Sequence, residues 1–305
     1  MRINPVLQKD MKTKLRGWRA PVLISCYIIL LSIIMLLYFT AYDMFYPYGI
    51  VNYSPRMAVN AYNILLVFQF ALLFVTVPAI TATSISGERE RQTLDLMLVT
   101  KTPPRKIVIG KIVISIAYTM LLFIASLPVL GVVFFFGGIG IEDIAKLTLF
   151  YVLTAFFVAS SGVFFSTLFK RNITAIISTY LFLGTVTFGP FFLYLLHMSI
   201  KYSAGYSYAP TYTEILSILF PSPVFGYTSF YFGGVDYRGF DLWGQAAAYI
   251  DGYLAQETGI LRFFKPWIAN GLFSIIVSVL LIILSTLILN PVRRKNNSAN
   301  PGMDW

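Results

Sequence analysis

Cysteine and histidine are almost missing from this sequence: Cys26 and His197 are the only ones among 305 residues. A single thiol cannot close an internal disulfide or build a Cys-based metal cluster. Cys26 lies inside an apolar run and reads as a small buried hydrophobe. His197 ends another apolar run, where an interfacial side chain fits better than a catalyst. Catalytic triads, Cys/His dyads and His-rich metal sites are therefore poorly supported, and the chain reads as a non-enzyme. Charge is scarce as well. Only 12% of residues are charged and 57% are apolar, against roughly 25% charged in a soluble domain. With a mean hydropathy of +0.74, water is not the main solvent of this chain.

The scarcity of charge is concentrated. Six stretches contain no Asp, Glu, Lys or Arg: residues 22–41, 61–85, 112–136, 147–169, 173–196 and 268–289. Each is long enough to cross a hydrocarbon core, which takes roughly 20 apolar residues. One charge at the centre would cost about 2.5–3.5 kcal/mol on insertion scales, so six clean runs predict six transmembrane helices. The first run is too long for the apolar region of a signal peptide, and no small-residue cleavage site follows it. It is expected to be retained. Missing charge at membrane depth also speaks against proton- or ion-coupled transport, which relies on titratable groups there. Any transport by this chain draws its energy from elsewhere.

The charge that remains is sorted by side. Seventeen of the 23 basic residues, against five of the 13 acids, fall in the N-terminal segment, the second–third loop, the fourth–fifth loop and the tail. The positive-inside rule makes that side cytoplasmic and places both termini there. The net charge of +10 thus reports topology and not a nucleic-acid partner. The expected fold is a single all-α transmembrane domain over residues 1–305.

Within residues 1–20, Ile3, Leu7, Met11, Leu15 and Trp18 recur at helical spacing, with Lys9, Asp10, Lys12 and Arg16 on other faces. That pattern predicts an amphipathic helix lying among the inner lipid headgroups. On the other side, residues 197–267 form a long Tyr-, Phe- and Gly-rich insert. Its stretch Glu214 to Tyr231 is apolar but broken by Pro221 and Pro223, and Leu242, Ala246, Ile250 and Leu254 suggest a short surface helix. Inside the spans, Ala155, Ala159 and Gly162 form a small-residue face for close helix packing. Asn63, Gln69 and Thr76 in the second span, with Ser178, Thr179, Thr185 and Thr187 in the fifth, are candidates for a substrate path. Interhelical bonding explains the same residues.

The loop at 86–106 is the most informative segment. It reads Glu88-Arg89-Glu90-Arg91-Gln92-Thr93-Leu94-Asp95-Leu96-Met97-Leu98 and stops at Thr102-Pro103-Pro104. Leu94, Met97 and Leu98 share one helical face, and Arg91 and Asp95 form an opposite-charge pair four residues apart. This predicts a short amphipathic helix below the membrane, ended by proline. Its apolar ridge suits a groove on a soluble partner, and equally suits packing on its own bundle.

Glu-Arg-Glu, then Thr-Leu-Asp-Leu-Met-Leu, then Thr-Pro, Arg105 and Gly110-Lys111 resemble the first cytoplasmic loop of type-2 ABC-transporter permeases. Gln92 stands where that family usually has Gly, and Asp95 where it has Glu. The resemblance implies the membrane half of an ATP-driven exporter in a prokaryotic cell membrane. It implies a second permease subunit, identical or paralogous, and a separate ATP-binding subunit that holds ATP and Mg. Glu88, Arg89, Glu90, Arg91, Thr93, Leu94, Asp95, Met97 and Leu98 would form the coupling helix. Gly110-Lys111 is no phosphate loop: Arg105 stands where its first Gly belongs, and no Ser or Thr follows Lys111. This chain is expected to bind no ATP or other cofactor. A channel or scaffold that needs no ATPase is the alternative. Amphiphile, peptide, lipid-linked glycan and drug suit the polar faces equally well as cargo.

Overall fold

Apolar runs of this length have one way to satisfy their backbone without water, which is to close every hydrogen bond within a helix. A computed structural model of the protein describes residues 18–45, 55–94, 103–134, 141–203, 212–232 and 266–290, and among them the ordered elements are all helical. In chain order they are α1 (Arg19–Phe45), α2 (Pro55–Thr81), α3 (Ser86–Glu90), α4 (Pro104–Phe134) and α5 (Ile141–Leu168). There follow α6 (Asn172–Ser203), α7 (Tyr212–Leu219), α8 (Pro223–Phe232) and α9 (Pro266–Leu289). Six of them are long and apolar enough to span a membrane.

The boundaries depart from the hydropathy runs where local chemistry intervenes. The second span was expected to reach Ile85, but α2 ends at Thr81. The third begins eight residues early, because Pro104 fits the first turn of a helix, where its missing N–H is no loss, and carries exposed Arg105 and Lys106 into α4. The outer stretch Glu214 to Tyr231 breaks at its prolines into α7 and α8, as expected. Cys26 is exposed on α1 and not buried as expected; Tyr27, Leu31 and Met35 make the buried stripe instead. The inner-surface helix before Trp18, the surface helix at 242–254, and Asp95, Met97 and Leu98 lie outside the described residues.

Two compact units are distinguished, one running to Ile176 and resuming at Ile282, the other spanning Ile177–Leu281. In the first, α5 packs on α2 and α4, and α1 lies against both of these. The predicted small-residue face of α5 is buried at Ala155, Ala159 and Gly162. A Cβ at Gly162 would lie 1.9 Å from Thr81 Oγ1 and 2.7 Å from Thr81 Cβ, so α2 touches α5 there almost backbone to backbone. Buried hydroxyls bond within their own helices: Ser115 to Lys111 O, Thr119 to Ser115 O, Thr154 to Phe150 O and Ser161 to Phe157 O, at 2.8–3.0 Å. Such back-bonding lets polar residues sit at depth without an external partner. Large apolar side chains such as Ile29, Ile33, Leu36 and Leu37 point outward from α1, a surface that lipid tolerates and water does not.

In the second unit, Ile215, Leu219 and Phe225 form a buried cluster against Phe191, Tyr194 and Leu216. Ser222 sits at the break between α7 and α8. Its hydroxyl donates to Thr187 O at 2.8 Å, while Asn270 Nδ2 donates to Phe220 O at 2.9 Å. The Asn270 amide answers a carbonyl left open where the segment breaks, and the Ser222 hydroxyl ties the break to α6.

Candidate functional site: the loop between α2 and α4

After Thr81 the chain turns, and Ile85 N and Ser86 N both donate to Ser166 Oγ of α5 at 2.9 Å. The residue before α3, Ile85, offers no side-chain cap of its own. A helix start leaves its first N–H groups without partners, and here the cap comes from a different helix. Ile85 itself is fully buried.

The charged residues of α3 then divide among three neighbouring spans. Glu88 receives Lys111 Nζ of α4 at 3.4 Å, and its carboxylate is also held by the Thr93 hydroxyl. Lys111 is only 6% exposed, so this ion pair sits in a medium where a lone ammonium would be costly. Arg89 donates from its guanidinium to Thr167 O and Phe169 O, each at 3.1 Å. Those carbonyls close α5, and a cation at a helix C-terminus also meets the favourable end of its dipole. Glu90 accepts Asn172 N at 2.7 Å and Asn172 Nδ2 at 2.6 Å, a carboxylate at the start of α6.

The expected helix from Glu88 through Leu98 does not run straight. Helix α3 stops at Glu90, and Gln92 takes a left-handed backbone with φ 58. A residue with a Cβ pays about 1–2 kcal/mol for that conformation. The left-handed turn explains why glycine suits this place. Thr93 and Leu94 are helical again beyond it. Leu94, expected on a ridge facing a partner, is only 3% exposed and packs inward. Between Thr81 and Leu94, the exposed residues are Glu90, Arg91 and Gln92. Lys111, Ser166 and Asn172 completed the site without having been singled out for it. Lys111 had a signal in its Gly-Lys motif; Asn172, directly after Lys170-Arg171 at a helix start, had a weaker one.

The family model of ABC-2 family transporter proteins matches residues 45–290. The chain belongs to that family. It is an ABC transporter permease subunit, a multi-pass membrane component, and the match covers every helix from α2 to α9. No curated protein matches the chain.

The candidate path residues of the permease fall into two groups. In the first unit, Gln69 is fully buried, and its Nε2 donates to Ser126 Oγ at 3.0 Å. Tyr27 and Tyr151 join it, which the sequence reading missed. The Tyr27 hydroxyl lies beside Gln69, Ser126 and Tyr151 without reaching a formed hydrogen bond, and Gln69 Oε1 has no donor. Asn63 is buried with its Nδ2 unbonded, and Thr76 back-bonds to Leu72 O at 2.8 Å. In the second unit, Thr185 is exposed and back-bonds to Leu181 O at 2.8 Å. Ser178 is half-buried, and Thr179 and Thr187 are buried. A hydroxyl already donating to its own helix keeps only acceptor capacity for a passing solute.

Proposed function

We propose that this permease is the membrane half of an ATP-driven exporter in a prokaryotic cell membrane. It would work beside a second permease subunit and be driven by a separate subunit that binds ATP and Mg. The loop from Glu88 to Leu98 receives that subunit's movement. One observation carries the reading: α3 is tied to α4 by Glu88–Lys111, to the end of α5 by Arg89, and to the start of α6 by Glu90. A segment bonded to three spans hands a push to them, where a loop held only by its own termini would absorb it by bending.

Leu94 contributes by holding the loop to its own bundle, and Arg91 and Gln92 offer the exposed surface. Asn63, Gln69, Thr76, Ser178, Thr179, Thr185 and Thr187 remain proposals for the solute path, with Asn63, Gln69 and Thr187 the strongest because each keeps a buried polar atom unbonded. Lipid surrounds the outward apolar faces. The deciding experiment is co-expression with a candidate ATP-binding subunit from the same organism, followed by purification of the complex and reconstitution in vesicles. ATP hydrolysis that requires this chain, and that falls when Arg91 and Gln92 are both exchanged for Glu, is the expected result. An ATPase that neither binds the permease nor changes its rate with it would refute the reading.

A further inference from the structure

Between Phe169 and Asn172 the chain reverses from α5 into α6, and α3 grips both sides of that corner. Arg89 holds the carbonyls on the α5 side. On the α6 side Asn172 is bonded through every polar group it offers to the loop. Its backbone N and its Nδ2 donate to the two oxygens of Glu90, and its Oδ1 accepts from the Ser86 hydroxyl at 2.6 Å. The amide cannot be turned over, because that would set its oxygen against a carboxylate.

The two acidic anchors of α3 differ in their surroundings. Glu88 meets a lysine buried in α4, and an ion pair in such a place resists separation once formed. Glu90 and Asn172 meet at the exposed surface, where water can replace either partner at little cost. One anchor is suited to serve as a fixed pivot, the other as a contact that is made and released.

We propose that Asn172 is the positioning residue through which the loop moves α6, with Glu90 as its releasable partner and Glu88–Lys111 as the pivot on α4. The proposal rests on the exporter reading given above. It concerns a part of the chain that the substrate does not touch, and it separates two routes out of one loop.

The test uses the full-length permease with its ATPase in lipid nanodiscs, with Cys26→Ser as the background. Single reporter cysteines are placed at exposed positions, Thr174→Cys in the first turn of α6 and Arg105→Cys in the first turn of α4. The rate of labelling by a hydrophilic maleimide is compared without nucleotide and after trapping with ATP, Mg and vanadate. Both reporters are expected to change rate severalfold on trapping. Asn172→Asp sets two carboxylates face to face, and Glu90→Gln sets two amide nitrogens together. Each is expected to abolish the response at Thr174→Cys and to keep that at Arg105→Cys. Combining Glu90→Gln with Asn172→Asp rebuilds the geometry. The introduced amide accepts from the backbone N–H and donates to the introduced carboxylate, which still accepts from Ser86. That pair is expected to restore the response at Thr174→Cys.

A full response at Thr174→Cys in both single variants would overturn the proposal, as would loss of that response in the rebuilt pair. Loss at both reporters in every variant would also overturn it, because the two routes would then be one. An unsubstituted complex that responds at neither reporter would refute the exporter reading itself, and this proposal with it.

Discussion

Gly162→Ala puts the contact between α2 and α5 to a quantitative test. The added methyl would lie 1.9 Å from Thr81 Oγ1, 2.7 Å from Thr81 Cβ and 3.3 Å from Ala82 N. Contacts of this kind relax near 3.5 Å, so the two helices must separate by about 1 Å or more. Turning the Thr81 side chain gives no escape. Its hydroxyl is bonded to Val77 O at 2.8 Å, and the Cβ stays in place whatever the rotamer. Overpacking of this severity costs about 3 kcal/mol, the upper part of the usual range. The damage also lies close to the loop, since α2 ends at Thr81 and Ser166, one turn beyond Gly162, caps α3. The assay is thermal unfolding in nanodiscs, with a fall on the order of 5 °C or more expected. Thr81→Ala added to Gly162→Ala should recover only part of the loss, because the 1.9 Å contact goes but the 2.7 Å contact to Cβ persists, whereas Thr81→Gly should recover most of it. If Gly162→Ala melts like the parent protein, or Thr81→Ala rescues as well as Thr81→Gly, the close-approach argument is wrong.

Four further outcomes follow from single sites. Gln92→Gly should raise stability by about 1 kcal/mol by removing the left-handed penalty, read as a higher melting temperature, and Gln92→Val should lower it. Lys111→Met should cost on the order of 3 kcal/mol by removing the buried cation that faces the Glu88 carboxylate, and adding Glu88→Gln should return most of that in the same melt. Ser126→Ala should cost about 1 kcal/mol by leaving Gln69 Nε2 without its acceptor, whereas Ser126→Ala with Gln69→Met should lie close to the parent in chemical unfolding. Gly226→Ala should cost about 1–3 kcal/mol, because its Cβ would fall 2.6 Å from the Asn270 side chain and push it off Phe220 O. Increased proteolysis between α7 and α8 would report it.

The six spans were legible because each is a long run in which a single charge would have been expensive, and nothing in the sequence contradicts that signal. Helix ends were less legible. Proline at 104 could begin a helix or end one, and hydropathy does not register the turn that stops α2 at Thr81. The loop was recognisable from its Glu-Arg-Glu and Gly-Lys motifs, but the direction in which its side chains face was not. A helical wheel drawn from Glu88 to Leu98 assumes one continuous helix, and the left-handed Gln92 rotates everything after it, so Leu94 turns inward. The partners of Glu88, Arg89 and Glu90 lie about 20 to 80 residues away in sequence. Two of Arg89's acceptors are backbone carbonyls, which leave no mark in a sequence at all.

Those orientations alter what a charge motif of this kind is for. A run of alternating acid and base on a cytoplasmic loop reads most simply as a surface for a soluble partner. In this permease Glu88, Arg89 and Glu90 instead hold three membrane helices, and Arg91 and Gln92 are left to face outward. Exposed side chains can vary with whatever partner they meet, whereas a carboxylate holding a buried ammonium and a guanidinium holding two helix carbonyls have little freedom to change. Under the exporter reading, substitutions at Arg91 should therefore weaken association with the proposed ATPase while the permease alone stays stable. Substitutions at Glu88 or Arg89 should destabilise the permease before any partner is added. A pull-down and a thermal melt on the same set of variants separate the two effects. If Arg89→Ala loses the ATPase but keeps the parent melting temperature, the inward anchoring of this motif is refuted.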